Sequence, residues 1–191
     1  MAGIPGRKLT IMKYVLYLIF SLSAASASAQ FKTANLTASG LTCAMCTRAI
    51  NQALDKLSFI ESVNPNIETS TFEIRFKQGA SVNFDAMRDA VEDAGFSISK
   101  LAVKTEFQNA AVKNDTHLRI GDKTFHFLKV SQSTLNGEKA LVIVDKDFLP
   151  AKDYRKYSTA TTMSCVKTGK AASCCTESGV AEGTRVYHVT I

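Results

Sequence analysis

Two cysteines separated by two residues, Cys43 and Cys46, are the side chains in this sequence best placed to do chemistry. A CxxC pair by itself is compatible with a metal clamp, a redox dithiol, half of a zinc site or a disulfide. Thiolate sulfur is a soft ligand that favours Cu(I) and similar thiophilic ions. Zinc usually takes four ligands, and the segment from 31 to 103 supplies no histidine and no second cysteine pair. A two-coordinate soft ion therefore fits this pair better than zinc does.

The pair lies where a predicted strand is followed by a predicted helix. Residues 34–38 alternate between apolar and polar side chains, as in a half-buried strand, and apolar residues recur at helical spacing over residues 50–57. The helix should begin near Cys43 to Cys46. At a helix N-terminus, unpaired backbone N–H groups and the positive end of the helix dipole stabilise thiolates.

The remaining elements of the first half follow a recognisable order. Residues 60–63 and 72–76 predict two more strands, residues 83–94 predict a second helix that ends at Gly95, and residues 96–98 open a fourth strand. The order β-α-β-β-α-β is the split βαβ pattern of a ferredoxin-like α+β fold. Two helices would then cover one face of a four-stranded antiparallel sheet, and we expect this segment to fold on its own.

Two motifs carry a family resemblance. They are Gly40-Leu41-Thr42-Cys43-Ala44-Met45-Cys46 and Val91-Glu92-Asp93-Ala94-Gly95-Phe96. In these motifs the chain resembles the heavy-metal-associated domain family, which includes copper chaperones, N-terminal domains of copper-transporting ATPases and the periplasmic mercury scavenger. The resemblance covers roughly residues 31–103. It implies the βαββαβ fold, Cys43 and Cys46 as metal ligands, and Phe96 beside the metal loop. Leu41 stands where the family usually has Met, and it conserves the volume of a core residue.

The function that follows is binding of one soft metal ion in metal trafficking, sequestration or detoxification. Cu(I) is the first choice, and Hg(II), Ag(I) and Cd(II) stay open because two thiolates accept all of them. The expected partner is a protein that donates or accepts the metal, such as a membrane metal transporter. A thiol–disulfide oxidoreductase using Cys43 and Cys46 is the alternative, although thioredoxin-like enzymes carry a Trp before the first cysteine and this chain has none. No other catalytic arrangement can be placed, so we expect no enzyme.

The first 29 residues have the layout of a secretory signal. Three basic residues precede the compact apolar run from Tyr14 to Phe20, and Ala27-Ser28-Ala29 forms a small-residue cleavage site. The apolar run is shorter than a membrane span, and an uncleaved anchor is the alternative. We expect an exported protein, periplasmic or extracellular, that begins at Gln30 and keeps no stable membrane span.

The net charge of the chain argues against a nucleic-acid partner. The formal charge is +6, but three of the 23 Lys and Arg residues, and none of the 17 Asp and Glu residues, lie in the predicted signal. Cleavage lowers the charge to +3 and leaves mixed charges with no basic stripe.

The second half of the chain is harder to interpret. Residues 104–116 are mixed and polar and predict a linker, and residues 117–191 predict a small mostly-β domain, such as an OB-like barrel, of unknown role. Cys165, Cys174 and Cys175 lie in this part. They predict a disulfide from Cys165 to one of the other two, a second soft-metal site that includes Met163 or His188, or free exposed thiols. A single histidine in a strand is more often packed or exposed than a ligand, which applies to His117, His126 and His188.

Overall fold

One eight-stranded sheet runs through the described part of the chain. The computed structural model describes residues 31–41 and 43–191, so the predicted signal over residues 1–29 lies outside the described residues. The strands are β1 Phe31–Ser39, β2 Ile60–Asn66, β3 Thr71–Phe76, β4 Ser97–Val112, β5 His117–Ile120, β6 Lys123–Phe127, β7 Ser133–Ile143 and β8 Val186–Thr190. The helices are α1 Ala44–Asp55, α2 Phe84–Asp93, α3 Ala151–Ser158, α4 Cys165–Thr168 and α5 Ser173–Thr176.

The first half confirms the ferredoxin-like prediction. Its four strands are antiparallel in the order β2-β3-β1-β4, and α1 and α2 bury their apolar stripes against the sheet. The start of α2 follows from Asn83, whose side-chain oxygen accepts a hydrogen bond of 3.1 Å from the backbone N–H of Ala86. Gly95 follows the helix with φ of +87°, a conformation in which glycine carries little strain.

Strand β4 continues through most of the segment for which the sequence predicts a linker. That prediction is wrong for residues 104–112, because β4 is sixteen residues long and ends at Val112. Thr105 and Phe107 are buried and alternate with exposed or half-buried neighbours, which is the period of a strand. β4 pairs with β1 along its first part and with β7 along most of its length. The two halves of the chain therefore share one continuous sheet.

The second half extends this sheet. Its strands follow β4 in the order β7-β8-β6-β5, with β8 antiparallel to β7 and parallel to β6. The mostly-β character is as predicted, but an OB-like barrel is not confirmed, because these strands continue the sheet of the first half and end at β5 as an edge. Within the described part of the chain, none of the helices has the length and apolar character that a membrane span requires.

Four aromatic rings join the two halves in one hydrophobic core. The ring of Phe84 on α2 lies 5.3 Å from that of Phe31, 6.4 Å from that of Phe125 and 5.2 Å from that of Tyr187, measured between centroids. All four side chains are buried. We call these four residues the ring cluster. Because Phe125 lies on β6 and Tyr187 on β8, helix α2 packs against strands from both halves.

A polar network reinforces the same junction. Asp85 on α2 receives two hydrogen bonds of 3.0 Å from the guanidinium of Arg185 and one of 2.8 Å from the hydroxyl of Tyr187. Arg185 also forms an ion pair of 2.9 Å with Asp145. The network therefore ties the first turn of α2 to β8 and the residue that precedes it.

Asp85 should make the stability of the fold sensitive to acid. Burial by itself raises the pKa of this carboxyl, but the hydrogen bonds and charge of Arg185 outweigh it, and the net pKa lies below the ordinary value of 3.8. Since the folded-state pKa is the lower one, the carboxylate stabilises the fold above the unfolded pKa, and this contribution is lost as the pH falls through the folded pKa. We expect urea denaturation to show less loss of stability between about pH 5 and pH 3 in Asp85→Asn than in the wild type.

The matched control for this acid sensitivity is Asp93→Asn. Asp93 is an exposed carboxylate at the end of the same helix. This variant should keep the wild-type pH dependence. An equal change of pH dependence in the two variants would contradict the assignment to Asp85.

Candidate metal centre

Cys43 and Cys46 lie on either side of the start of α1. Cys43 precedes the helix with an extended backbone, at φ −158° and ψ 165°, and its carbonyl oxygen accepts hydrogen bonds from the backbone N–H groups of Cys46 and Thr47. Cys46 lies in the first turn of the helix. The predicted placement of the pair at a helix N-terminus is therefore confirmed, and the thiols lie where the helix dipole favours negative charge.

The two sulfur atoms face each other without a covalent bond. Their separation is 3.2 Å, against about 2.05 Å in a disulfide. An ion held linearly by two sulfurs at about 2.3 Å each needs them about 4.6 Å apart, so binding requires the pair to open. Cys43 is exposed and lies outside the helix. Rotation of its side chain can supply that opening.

Apolar side chains surround the loop, as the resemblance implies. Leu41 and Phe96 are partly buried and pack against the main core. A side-chain carbon placed on Gly40 would lie 3.8 Å from the ring of Phe96, so this ring lies against the loop. Met45 is 75% exposed and presents an apolar surface beside the thiols.

The structure brings two of the three distal cysteines to a group of histidines. The Sγ atom of Cys165 lies 3.5 Å from Nδ1 of His126 and 3.4 Å from Nε2 of His188, and all three residues are fully buried. Cys175 is also buried, and its sulfur lies 3.7 Å from that of the half-buried Cys174. The described part of the chain contains no disulfide, so the predicted bridge from Cys165 is not formed. Met163 packs against the small buried cluster that contains Cys165 and Cys175.

The three histidines form one row across neighbouring strands. His126 pairs with His117 on β5 and with His188 on β8. The rings of His117 and His126 stack with centroids 4.2 Å apart, and those of His126 and His188 are 5.0 Å apart. The sequence analysis treated each histidine by itself, as a packed or exposed strand residue. It therefore missed this arrangement. The available signal is that His126 and His188 each lie between buried apolar residues of a strand. We call His117, His126, His188, Cys165 and Cys175 the histidine–cysteine cluster.

Burial lowers the pKa of two histidines of the cluster. Burial, together with the charges of His188 and His117, lowers the pKa of His126 to about 4 despite its hydrogen bond with Asp115. Burial likewise lowers the pKa of His117. His126 and His117 are therefore neutral at neutral pH.

The distal thiols differ from one another. Burial raises the pKa of Cys165 and, against weaker opposing hydrogen bonds, that of Cys175. Burial also acts to raise the pKa of Cys174, but hydrogen bonds from Ser164 and from nearby backbone outweigh it and lower the pKa to about 7. Cys174 is therefore the distal thiol that ionises most readily.

Comparison with known proteins finds a known domain family in the first half of the chain. Residues 35–97 match the family model of the heavy-metal-associated domain, which ends before the histidine–cysteine cluster. A protein described as "probable copper-exporting P-type ATPase", from Archaeoglobus fulgidus, is 33% identical over 72 residues, which are 37% of this chain and 9% of the ATPase. The "Copper chaperone CopZ" of Staphylococcus epidermidis is 27% identical over 59 residues, which are 31% of this chain and 85% of the chaperone.

Solved structures match the same share of the chain. A structure described as "CopZ metallochaperone" is 26% identical and covers 35% of this chain and 97% of its own, with a TM-score of 0.32. Oxidized MerP from Ralstonia metallidurans CH34 is 26% identical and covers 36% of this chain and 94% of its own, with a TM-score of 0.33.

Proposed function

Residues 35–97 form a heavy-metal-associated domain, and from this premise we propose that the protein binds one Cu(I) ion between Cys43 and Cys46 and exchanges it with another protein. The observation that carries the proposal is the pair of thiols 3.2 Å apart at the N-terminus of α1. Two sulfurs in this position can hold one ion between them once a small side-chain rotation has opened the pair.

The choice of Cu(I) follows from the number and softness of the ligands. Two thiolates complete the coordination of Cu(I) but leave Zn(II) two ligands short. No histidine and no further cysteine occurs between residues 31 and 103. Hg(II), Ag(I) and Cd(II) share the preference for thiolate, and the sequence relatives described as copper proteins favour copper among these ions.

The surface around the pair suits transfer of the ion to a partner protein. Cys43 is exposed, so an incoming thiolate can attack the bound ion before the first ligands leave. The exposed side chain of Met45 offers an apolar contact beside the attack site. The proposed partner is a soluble metal-binding domain of a membrane metal transporter. With the predicted signal over residues 1–29, this exchange would take place in the periplasm or outside the cell, in trafficking or detoxification of copper.

Metal selectivity at the pair tests the proposal. The backbone amides of Cys46, Thr47 and Phe96 report on this loop alone, so their NMR chemical shifts follow its occupancy. We expect saturating Cu(I) to shift them equally in the presence and absence of excess Zn(II), because zinc lacks two ligands there. Met45→Ala, which leaves both thiols in place, should keep this response. If excess Zn(II) prevents Cu(I) from shifting these amides, the proposed selectivity is wrong.

A further inference from the structure

The histidine–cysteine cluster lies on the opposite face of the sheet from α2. Phe125 and Tyr187 contact Phe84 on α2. Successive side chains of a strand point to opposite faces, so His126 and His188 point away from that helix. There they meet Cys165, and all three are fully buried. The cluster shares no residue with the proposed Cu(I) pair.

The hydrogen-bond partners of the two histidines fix which ring nitrogens face the thiol. Nε2 of His126 lies 3.0 Å from a carboxylate oxygen of Asp115, and Nδ1 of His188 lies 2.5 Å from one of Asp145. An ionised carboxylate only accepts hydrogen bonds, so these two nitrogens carry the hydrogen atoms. The opposite ring nitrogen of each histidine, Nδ1 of His126 and Nε2 of His188, faces the sulfur of Cys165.

One thiol faces two ring nitrogens in this arrangement. The Cys165 thiol has a single hydrogen, which can reach His126 or His188 but not both at once. A buried acceptor without a partner costs free energy. A metal cation can meet all three atoms at once, because it replaces the thiol hydrogen and accepts a lone pair from each nitrogen together with the sulfur.

The distances match such an ion. A tetrahedral metal with sulfur at about 2.3 Å and nitrogen at about 2.0–2.1 Å places each nitrogen about 3.5 Å from the sulfur. The separations from the sulfur are 3.5 Å to His126 and 3.4 Å to His188. Asp115 and Asp145 contact the ring nitrogens that face away from Cys165. In metal sites, carboxylates in this position orient the histidine ligands.

A further thiol lies next to Cys165. The sulfur of Cys175 is within 4.8 Å of the sulfur of Cys165 and of a ring nitrogen of His117. We propose that His126, His188 and Cys165 bind one transition metal ion of the kind that takes imidazole and thiolate together, Zn(II) or Cu(I). This second metal site goes beyond the proposed function and does not depend on it.

An ion has a route to this site. A cavity of about 390 Å³ is lined by His117 and by the loop over residues 178–181. The ring of His117 separates this cavity from His126, on which it stacks. Neither ring nitrogen of His117 has a hydrogen-bond partner among the described residues. Rotation of this ring would open a path from the cavity to the cluster.

Metal binding by a chain that lacks the first pair tests the proposal. The C43S/C46S variant is kept reduced and titrated with Co(II), a spectroscopic stand-in for Zn(II), and in a separate arm with Cu(I). We expect one equivalent of metal to bind. The Co(II) complex should show thiolate charge transfer and the absorption of a tetrahedral ion. Tighter binding of Co(II) assigns a zinc-type site, and tighter binding of Cu(I) assigns a second copper site.

Three further substitutions in the same background locate the ion. Cys165→Ser should abolish binding, and Cys174→Ser, which removes a neighbouring thiol outside the set, should leave it unchanged. Asp115 is partly exposed, so Asp115→Asn should keep the fold. Loss of the carboxylate that contacts His126 should weaken metal binding about 10–100-fold. The proposal is overturned if no metal binds, or if neither Cys165→Ser nor Asp115→Asn changes metal binding. The thiol hydrogen of Cys165 would then occupy the space between the ring nitrogens. Because Cys43 and Cys46 are absent, either result leaves the proposed function untouched.

Discussion

Replacing Cys43 and Cys46 by serine is expected to remove tight Cu(I) binding from the first half of the chain and to leave its fold intact. Serine hydroxyls are poor ligands for a soft ion. The affinity should fall about a thousand-fold or more, which corresponds to about 4 kcal/mol. Cys43 is exposed, and its side chain does not cap α1. The free energy of unfolding should therefore change by only about 0.5 kcal/mol.

Competition with a Cu(I) chelator, followed through the amide shifts of Thr47 and Phe96, measures the affinity of this loop apart from binding at the histidine–cysteine cluster. Cys174→Ser is the matched control, because it removes a half-buried cysteine that lies outside the pair. It should leave the shifts of both amides with Cu(I) as in the wild type. If the amides of the double variant still shift at one equivalent, Cys43 and Cys46 are not the ligands.

Phe125→Ala is expected to destabilise the whole chain. Phe125 is fully buried and lies in the ring cluster with Phe31, Phe84 and Tyr187. Truncation of a buried phenylalanine leaves a cavity and costs about 3–5 kcal/mol. For a chain of this length the melting temperature should fall by about 6–20 °C. Circular dichroism should record one cooperative transition in both proteins, because the ring cluster belongs to both halves.

The conservative variant Phe125→Leu fills part of the cavity and should cost less. The isolated segment 31–103 provides a second comparison. The sequence predicts that it folds on its own, but it lacks Phe125, Tyr187 and the β7 partner of β4. We therefore expect it to be several kcal/mol less stable than the same residues in the full chain. Two separate transitions in the full chain would contradict a shared core.

The first half could be predicted because its signals are local. The apolar stripes of α1 and α2 and the side-chain cap at Asn83 lie within a few turns of chain. Cys43 and Cys46 lie next to such an element, so their place at the helix start followed from neighbouring residues. The weak alternation of residues 104–112 was missed, because a strand with few large apolar side chains resembles a linker until its partners β1 and β7 are known.

The histidine–cysteine cluster could not be predicted in the same way. His126 and His188 become neighbours only through the parallel pairing of β6 with β8, more than sixty residues apart in sequence. Cys165 reaches them from a four-residue helix that has no strong pattern of its own. One of the two alternatives from the sequence grouped the three distal cysteines with Met163 or His188, but the roles of His117 and His126 required the order of the strands.

The position of β8 has a consequence for the order of synthesis and folding. Residues 186–190 lie between β7 and β6, in the interior of the sheet. On the ribosome, β6 and β5 cannot join the sheet until this strand has emerged, and contacts between distant residues form slowly. His188 lies on the same strand. Cys165, Cys174 and Cys175 are therefore synthesised before their pocket exists, and a nascent chain exposes these thiols to oxidants and to competing metal ions until β8 is in place.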